Sequence, residues 1–401
     1  MKTSLNKKTP LLIAILATVV ALGVHLYLTQ HYYGVKYGTA TESAVCNINE
    51  VFNCDAVSAS KFSSIFGIPL ALWGLATNLV LLYFLLVTRF NLVADQDKTS
   101  RYSFLISTLT VGASLVMGVI SMTMDNLCLF CITAYVLSII GWIGIYLAQD
   151  KGFAKDLADD IKDVFSSQRW VLGFLAAIPV IAFTANLMYM ESQGFTEIEK
   201  RSQEIVAYWG ASPTRTFNPE EGLIYQNGDA EPVMTIVEFA DFRCPHCKHA
   251  ATPLHAFTKS HSDVRLIFKP FPLDGTCNDA MGGGGDGISC GLAAAVVCAE
   301  SMNKKGWQAH DHIFDRQMEV IRAQNLQQNL KEVAEFTSLD EAALKECVKS
   351  PETLEKVRKM ANEGKEAQIQ GTPTVFVNGK LLRNGQMVPV LEAVYKHIKG
   401  K

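Results

Sequence analysis

Five stretches of this 401-residue chain contain no Asp, Glu, Lys or Arg: Pro10 to Leu28, Phe66 to Val87, Ser103 to Met124, Cys128 to Ala148 and Trp170 to Met190. A bilayer's hydrocarbon core is crossed by about 20 apolar residues, and backbone in lipid must satisfy its own polar groups, so each stretch predicts a membrane-spanning helix. The first run is longer than the roughly 7–15 apolar residues of a secretory signal, and no A-x-A-like site follows it, so an uncleaved helix is expected there.

Short loops rich in Lys and Arg stay on the cytoplasmic side. With the N-terminus inside, the inner segments carry Lys2, Lys7, Lys8, Arg89, Lys98, Arg101, Lys151, Lys155, Lys162 and Arg169, and the outer loops before the fifth span carry only Lys36 and Lys61. Five spans then place everything after Met190 outside. The balance of 36 Lys and Arg against 39 Asp and Glu, with no basic stripe, gives no reason to expect a nucleic-acid partner.

This topology places all ten cysteines (Cys46, Cys54, Cys128, Cys131, Cys244, Cys247, Cys277, Cys290, Cys298 and Cys347) outside or at the outer membrane face. Disulfides persist in that compartment. Two C-x-x-C motifs stand out, Cys128 to Cys131 opening an apolar run and Cys244 to Cys247 following a strand pattern. Zinc wants four ligands gathered in one place, whereas C-x-x-C at a helix start favours redox chemistry, so no metal is expected.

After Met190 the character changes. A polar helical connector is expected around Thr196 to Tyr208, then a loop from Ser212 to Pro232. A β-rich run, Val233 to Ala240, leads into Cys244-Pro-His-Cys247, a helix to about Ser260 and a second strand at Val264 to Lys269. Ala293 to Gly364 reads as several helices. A hairpin turning at Asn378-Gly379 and a helix from Val388 to Ile398 close the chain. The expected domains are 1–150 in the membrane, 151–195 as a cytoplasmic loop plus fifth span, 196–232 as connector, and 233–401 as an α/β domain with a helical insertion.

The segments Glu238-Phe-Ala-Asp-Phe-Arg-Cys244-Pro-His-Cys247 and Gly371-Thr-Pro373-Thr-Val-Phe-Val-Asn-Gly379 resemble the thioredoxin superfamily, specifically its DsbA-like oxidants. Cys244 would sit at a helix N-terminus, where free N–H groups and the helix dipole stabilise a thiolate. It is the expected nucleophile, with Cys247 as resolving thiol and His246 beside it. A stabilised thiolate makes the disulfide oxidising, about −120 mV in the DsbA class against about −270 mV for thioredoxin. The resemblance implies a cis bond before Pro373, with the Thr372 backbone free for a substrate strand. It also makes Glu238 a buried acid serving Cys247, the alternative being a strand glutamate facing water. Cys277 and Cys290 bracket a glycine run that a bridge would close; Cys298 and Cys347 either pair with each other or stay as buried thiols.

In the membrane half, Cys46-Asn-Ile-Asn-Glu-Val-Phe-Asn-Cys54, Ser60, Gly67-Ile-Pro69 and Cys128-Leu-Phe-Cys131-Ile-Thr-Ala-Tyr135 resemble the vitamin K epoxide reductase family, over about Thr9 to Asp150. The fused thioredoxin-like domain reached through a fifth helix resembles its bacterial members. The fold implied is a four-helix membrane bundle plus a linking helix. The cofactor implied is a quinone, ubiquinone or menaquinone, taking electrons from Cys131 with Tyr135 as its neighbour. Ser60 is expected either to hydrogen-bond the quinone or to order the loop. The resemblance pairs Cys46 with Cys244 and Cys54 with Cys128 in exchange. His25 is read as an outer-end residue with no role.

The function expected is therefore a quinone-linked thiol oxidase of the bacterial inner membrane, making disulfides in reduced exported proteins. Two readings stand against it: a disulfide isomerase or reductase, since Thr372 before Pro373 is a feature some isomerases share, and a receptor or transporter with structural disulfides.

Overall fold

The computed structural model describes residues 2–39, 44–48, 51–150, 152–166, 168–229 and 231–400. Lys151 and the side chains of Lys2 and Lys7, three of the basic residues used above for orientation, lie outside that description. The chain forms two compact units, one made of Met1–Tyr32 and Ala44–Phe195, the other of Tyr33–Ser43 and Thr196–Lys401.

The first unit is helical. Its long helices are α1 (Lys2–Tyr37), α3 (Leu70–Arg89), α4 (Gln96–Ser121), α5 (Leu129–Ala148) and α7 (Arg169–Ser192), with the short α2 (Cys54–Ala59) between α1 and α3. The long five are apolar enough to cross a membrane, as the charge-free stretches predict. Helix α3 follows a two-residue β-hairpin, β1 (Ser64–Ile65) and β2 (Ile68–Pro69), turned by Gly67 at φ 76°. Leu11, Ala14, Leu81, Phe84, Leu85, Ile106 and Ile145 form a core between α1, α3, α4 and α5.

The segment expected as a loop before the fifth span is instead a helix, α6 (Phe153–Ser166). It buries Val164 in the same core. Its acidic face pairs with α4: Lys98 Nζ lies 2.6 Å from Asp163 Oδ2, and Arg101 bonds Asp160. The basic residues at the start of α4 thus have partners that only the tertiary fold brings to them.

The second unit begins with α8 (Phe195–Ala211) and is built on a five-stranded sheet. Its strands are β3 (Leu223–Gln226), β4 (Met234–Ala240), β5 (Val264–Pro270), β6 (Thr374–Val377) and β7 (Lys380–Leu381), in the order β3-β5-β4-β6-β7. Helix α9 (Pro245–Lys259) makes the crossover between the parallel pair β4 and β5, and β3 and β6 join antiparallel. Strand β3 falls within the segment read as loop. Four residues are too few to display a period, and its partner, β5, lies some forty residues on. Between β5 and β6 come six helices, α10 (Ile288–Asn303), α11 (Gly306–Asp315), α12 (Gln317–Ala323), α13 (Leu326–Thr337), α14 (Glu341–Lys349) and α15 (Pro351–Glu366), and α16 (Val388–Lys399) ends the chain. Helix α10 is their hub, buried along Leu292 to Val296.

Candidate functional site

Both C-x-x-C motifs start helices. Cys244 is the N-cap of α9, with Pro245 in the first turn, where its missing N–H costs nothing and its fixed φ suits the helix. The Cys247 backbone N–H donates to Cys244 O at 3.1 Å, and Gln317 Nε2 donates to the carbonyls of Phe242 and Cys244 at 2.9 Å each, holding the approach to the helix. Asp241 accepts from the backbone N–H groups of Arg243 and Leu273 at 2.7 and 2.9 Å, which ties the same turn to the end of β5.

Cys244 and Cys247 are free thiols; Cys244 keeps a small exposed edge at 8% and Cys247 has none. The hydrogen bond from the Cys247 thiol, aided by the backbone N–H groups of Cys247 and His246 and opposed by burial, lowers the Cys244 pKa to about 5. Burial and the neighbouring Cys244 push Cys247 well above the ordinary thiol range. One sulfur is thus a thiolate at neutral pH and the other a thiol, the asymmetry that exchange chemistry needs. His246 is exposed at the rim. The Thr372–Pro373 bond is cis, and Thr372 O lies 3.4 Å from Cys244 Sγ.

Glu238 does not face water. It lies on the central strand β4, opposite Phe268 of β5 and Val375 of β6, at 1% exposure. Burial, then the charge on Cys244, raises its pKa to about 8, and Oε1 has no hydrogen-bond partner among the described residues. A buried carboxyl that is neutral near pH 7 and next to a thiolate can give and take a proton there.

In the helical unit Cys128 is the N-cap of α5, and the Cys131 backbone N–H donates to Cys128 Sγ at 3.1 Å. Cys128 is bonded to Cys131 and Cys46 to Cys54, with Cα separations of 5.2 and 5.9 Å. The two bridges are packed together: Cys46, Cys54 and Cys128 share a buried cluster with Leu28 and Ala44, and Cys131 lies against it. Backbone pairing sets this juxtaposition, since Asn53 N–H donates to Leu127 O at 2.9 Å and Leu127 N–H to Val51 O at 2.7 Å. Asn47 holds the loop from inside, accepting from Cys54 N–H at 2.8 Å and donating to Asp55 Oδ2 at 2.6 Å, while His31 Nε2 lies 2.8 Å from Asp55 Oδ1.

An apolar cavity of about 400 Å³ opens below this cluster, with Cys131 and Tyr135 in its wall. Ser60 is not in the wall. It caps α2, and its Oγ donates to Val57 O at 2.8 Å, which orders the loop; Ser58 and Ser63 line the cavity instead. His25, read from the sequence as having no role, also lines the cavity, as do Trp73 and Gly74. The signal for His25 was present, because an ionisable residue inside an apolar span usually marks a function. Helix α7 also closes part of the wall through Leu175 and Ile178.

The other four cysteines form two bridges. Cys277 pairs with Cys290 across the glycine run, and Cys298 with Cys347 between α10 and α14, at Cα separations of 5.9 and 6.0 Å. Among the described residues no group of three or more His, Cys, Asp or Glu side chains is arranged to hold a metal.

Residues 11–146 match the vitamin K epoxide reductase family and residues 235–396 match the DSBA-like thioredoxin domain. A probable disulfide bond formation protein D of Bacillus anthracis is 26% identical over 242 residues, covering 58% of this chain and 98% of that relative. A Na(+)/H(+) antiporter, NhaA 3, of Salinispora tropica is 26% identical over 153 residues, which are 38% of this chain but 21% of that much longer protein. Among solved structures, oxidised BdbD from Bacillus subtilis covers 47% of this chain and 99% of its own at 20% identity and a TM-score of 0.38.

Proposed function

Because the chain joins a vitamin K epoxide reductase family domain at residues 11–146 to a DsbA-like thioredoxin domain at residues 235–396, it is a disulfide-forming thiol oxidoreductase, and we propose that a membrane quinone is its electron acceptor. The observation that carries this reading is the position of Cys131, which belongs at once to a buried cluster of two disulfides and to the wall of an apolar cavity among membrane-length helices. A lipid-soluble acceptor has to be met in such a place. A quinone bound there supplies a sink for two electrons and two protons.

The chain's own residues do the rest by thiol–disulfide exchange. A substrate thiolate attacks Cys244 of the oxidised Cys244–Cys247 pair, breaking that bond and leaving Cys247 to be protonated from Glu238. The second substrate thiol, losing its proton to water, then displaces Cys244 as a thiolate, so the substrate leaves oxidised and the site holds a Cys244 thiolate and a Cys247 thiol. The Cys244 thiolate next attacks the Cys46–Cys54 bridge at Cys46, and Cys247, giving its proton back to Glu238, releases it. Cys54, now a thiolate, attacks Cys128, and Cys46 resolves that mixed disulfide. The Cys128/Cys131 dithiol meets the cavity through Cys131, the donor, with Tyr135 also in the wall. Electrons thus move two at a time, and every bond broken is matched by one formed.

The substrates in this reading are reduced exported proteins, and the membrane is the bacterial inner membrane with the N-terminus cytoplasmic, on the balance of ten inner basic residues against two in the outer loops. A reporter fused to the C-terminus is expected to be active only outside the cytoplasm. The decisive test of the acceptor is oxidation of a reduced peptide by the purified full chain, with and without a short-chain quinone. Turnover beyond the equivalents held in the three bridges is expected only with quinone; oxidation that stops at those equivalents with and without quinone would overturn the proposal.

A further inference from the structure

A cavity for a head group with two carbonyl oxygens needs donors that are not already engaged. Most polar side chains in this wall are engaged with their own helices. Thr77 donates to Trp73 O at 2.9 Å, Asn78 to Gly74 O at 2.8 Å, Thr110 to Ile106 O at 3.0 Å and Ser121 to Met117 O at 2.9 Å. Ser138 and Ser63 likewise donate to Tyr135 O and Ser60 O, both at 2.7 Å. Buried hydroxyls and amides in apolar helices satisfy themselves this way, and so have little left for a ligand.

Two buried side-chain nitrogens of the wall have no partner among the described residues: His25 Nδ1 on α1 and Trp73 Nε1 on α3. An indole N–H is a donor and nothing else, and an imidazole nitrogen is a donor or an acceptor according to its tautomer. Buried polar groups are nearly always paired, so two orphans in one cavity indicate a missing partner. The fold has also made room for one of them. The His25 ring lies flush against Gly74, where a Cβ would fall 2.6 Å from either ring nitrogen, and Gly74 is the residue after Trp73. One stretch of α3 thus supplies both a donor and the seat for the opposing imidazole.

We propose that His25 and Trp73 are the polar grip of the cavity, hydrogen-bonding the carbonyl oxygens of a quinone head group that Cys131 faces. This rests on the quinone reading above and assigns binding to side chains on α1 and α3, outside the Cys131-to-Tyr135 segment. No electron passes through either residue; they hold the ring.

The test uses the full chain in lipid nanodiscs and a short-chain ubiquinone, with equilibrium dialysis for Kd and peptide oxidation for KM. Trp73→Phe keeps the aromatic bulk and removes the N–H; His25→Leu removes the imidazole, and His25→Gln restores a donor. Losing one hydrogen bond is expected to raise Kd and KM together by about tenfold in Trp73→Phe and His25→Leu, and by less in His25→Gln. The stoichiometric burst of peptide oxidation without quinone serves as the reference for folding and disulfide content. Unchanged Kd in both removals would overturn the proposal, as would a weakening in His25→Gln as large as in His25→Leu. If Trp73→Phe loses the burst, the two His25 variants decide the matter alone. A wild-type chain that shows the burst yet neither binds quinone nor turns over with it would instead sink the quinone reading itself, and this inference with it.

Discussion

The two C-x-x-C sites are alike for one helical turn and different in everything around that turn. Cys128 and Cys244 are both helix N-caps, and in each case the second cysteine comes three residues later. Around Cys244 the surroundings are a cis-proline loop, a partly open edge and a buried acid, Glu238. Around Cys128 they are a second disulfide and an apolar cavity. Helix-start chemistry is common to both pairs, and in the proposed function the surroundings choose the partner: protein thiols for one, a lipid-soluble acceptor for the other.

The sharpest way to separate the two sites is to remove one cysteine from each. Cys244→Ala and Cys131→Ala are both expected to abolish catalytic disulfide formation, but Cys131→Ala should keep a stoichiometric burst limited to the two bridges that remain, whereas Cys244→Ala should lose even that. Quenched-flow thiol counts measure the difference. A further variant tests the order between them: with Cys247 and Cys54 both replaced by Ala, a mild thiol oxidant such as diamide, which takes up the two electrons, should leave a stable Cys244–Cys46 bond, because the thiols that would resolve it are gone. Non-reducing peptide mapping that found Cys244 bonded to Cys128 or Cys131 would mean that the loop bridge is bypassed.

A smaller effect distinguishes the sites by pH. In the reduced protein Cys244 has a pKa near 5 against an ordinary 9.0, so between those values the folded state has lost a proton that the unfolded state keeps. Stability of the reduced form then rises with pH across that window, by up to roughly 1.4 kcal/mol per pH unit, and the gain disappears as the pH falls through 5. Glu238 works in the opposite sense. Its folded value near 8 lies above the ordinary 4.5, so its contribution is full below about 4.5 and declines as the pH rises toward 8. The two slopes oppose each other from about 5 to 8. Glu238→Gln removes one of them, and the melting temperature of the reduced thioredoxin-like unit in the full chain should then climb with pH more steeply than in the wild type. Equal slopes would mean that Glu238 does not hold its proton in the folded state. Alkylation of Cys244 should follow a midpoint near pH 5.

The smallest effect on activity is expected where the cysteines only bridge. Cys277→Ala opens a bridge spanning 13 residues over the glycine run and should lower stability by about 2–4 kcal/mol while leaving turnover of the folded protein intact. Parallel melting and turnover measurements check this. Loss of turnover in a well-folded Cys277→Ala protein would erase the distinction between reactive and structural pairs.

The sequence by itself determined what depends on neighbours along the chain. Five charge-free runs gave five helices, because a run of apolar residues of that length has few other ways to bury its backbone in lipid. The two C-x-x-C helix starts and the strands on either side of Cys244 were legible for the same reason, since C-x-x-C spacing, alternation and an Asn-Gly turn are local signals, whereas the Cys46–Cys54 pair was read only from the family resemblance. Tertiary structure decided the rest. Helix α6 was hidden because its acidic face makes sense only against Lys98 and Arg101 of α4, and β3 because its partner lies on β5. Only packing turned Glu238 inward, joined Cys298 to Cys347 and bonded Ser60 to its own turn while leaving His25 Nδ1 and Trp73 Nε1 without a partner among the described residues. Burial and hydrogen-bond satisfaction are sums over contacts from distant parts of the chain, and no window of sequence contains them.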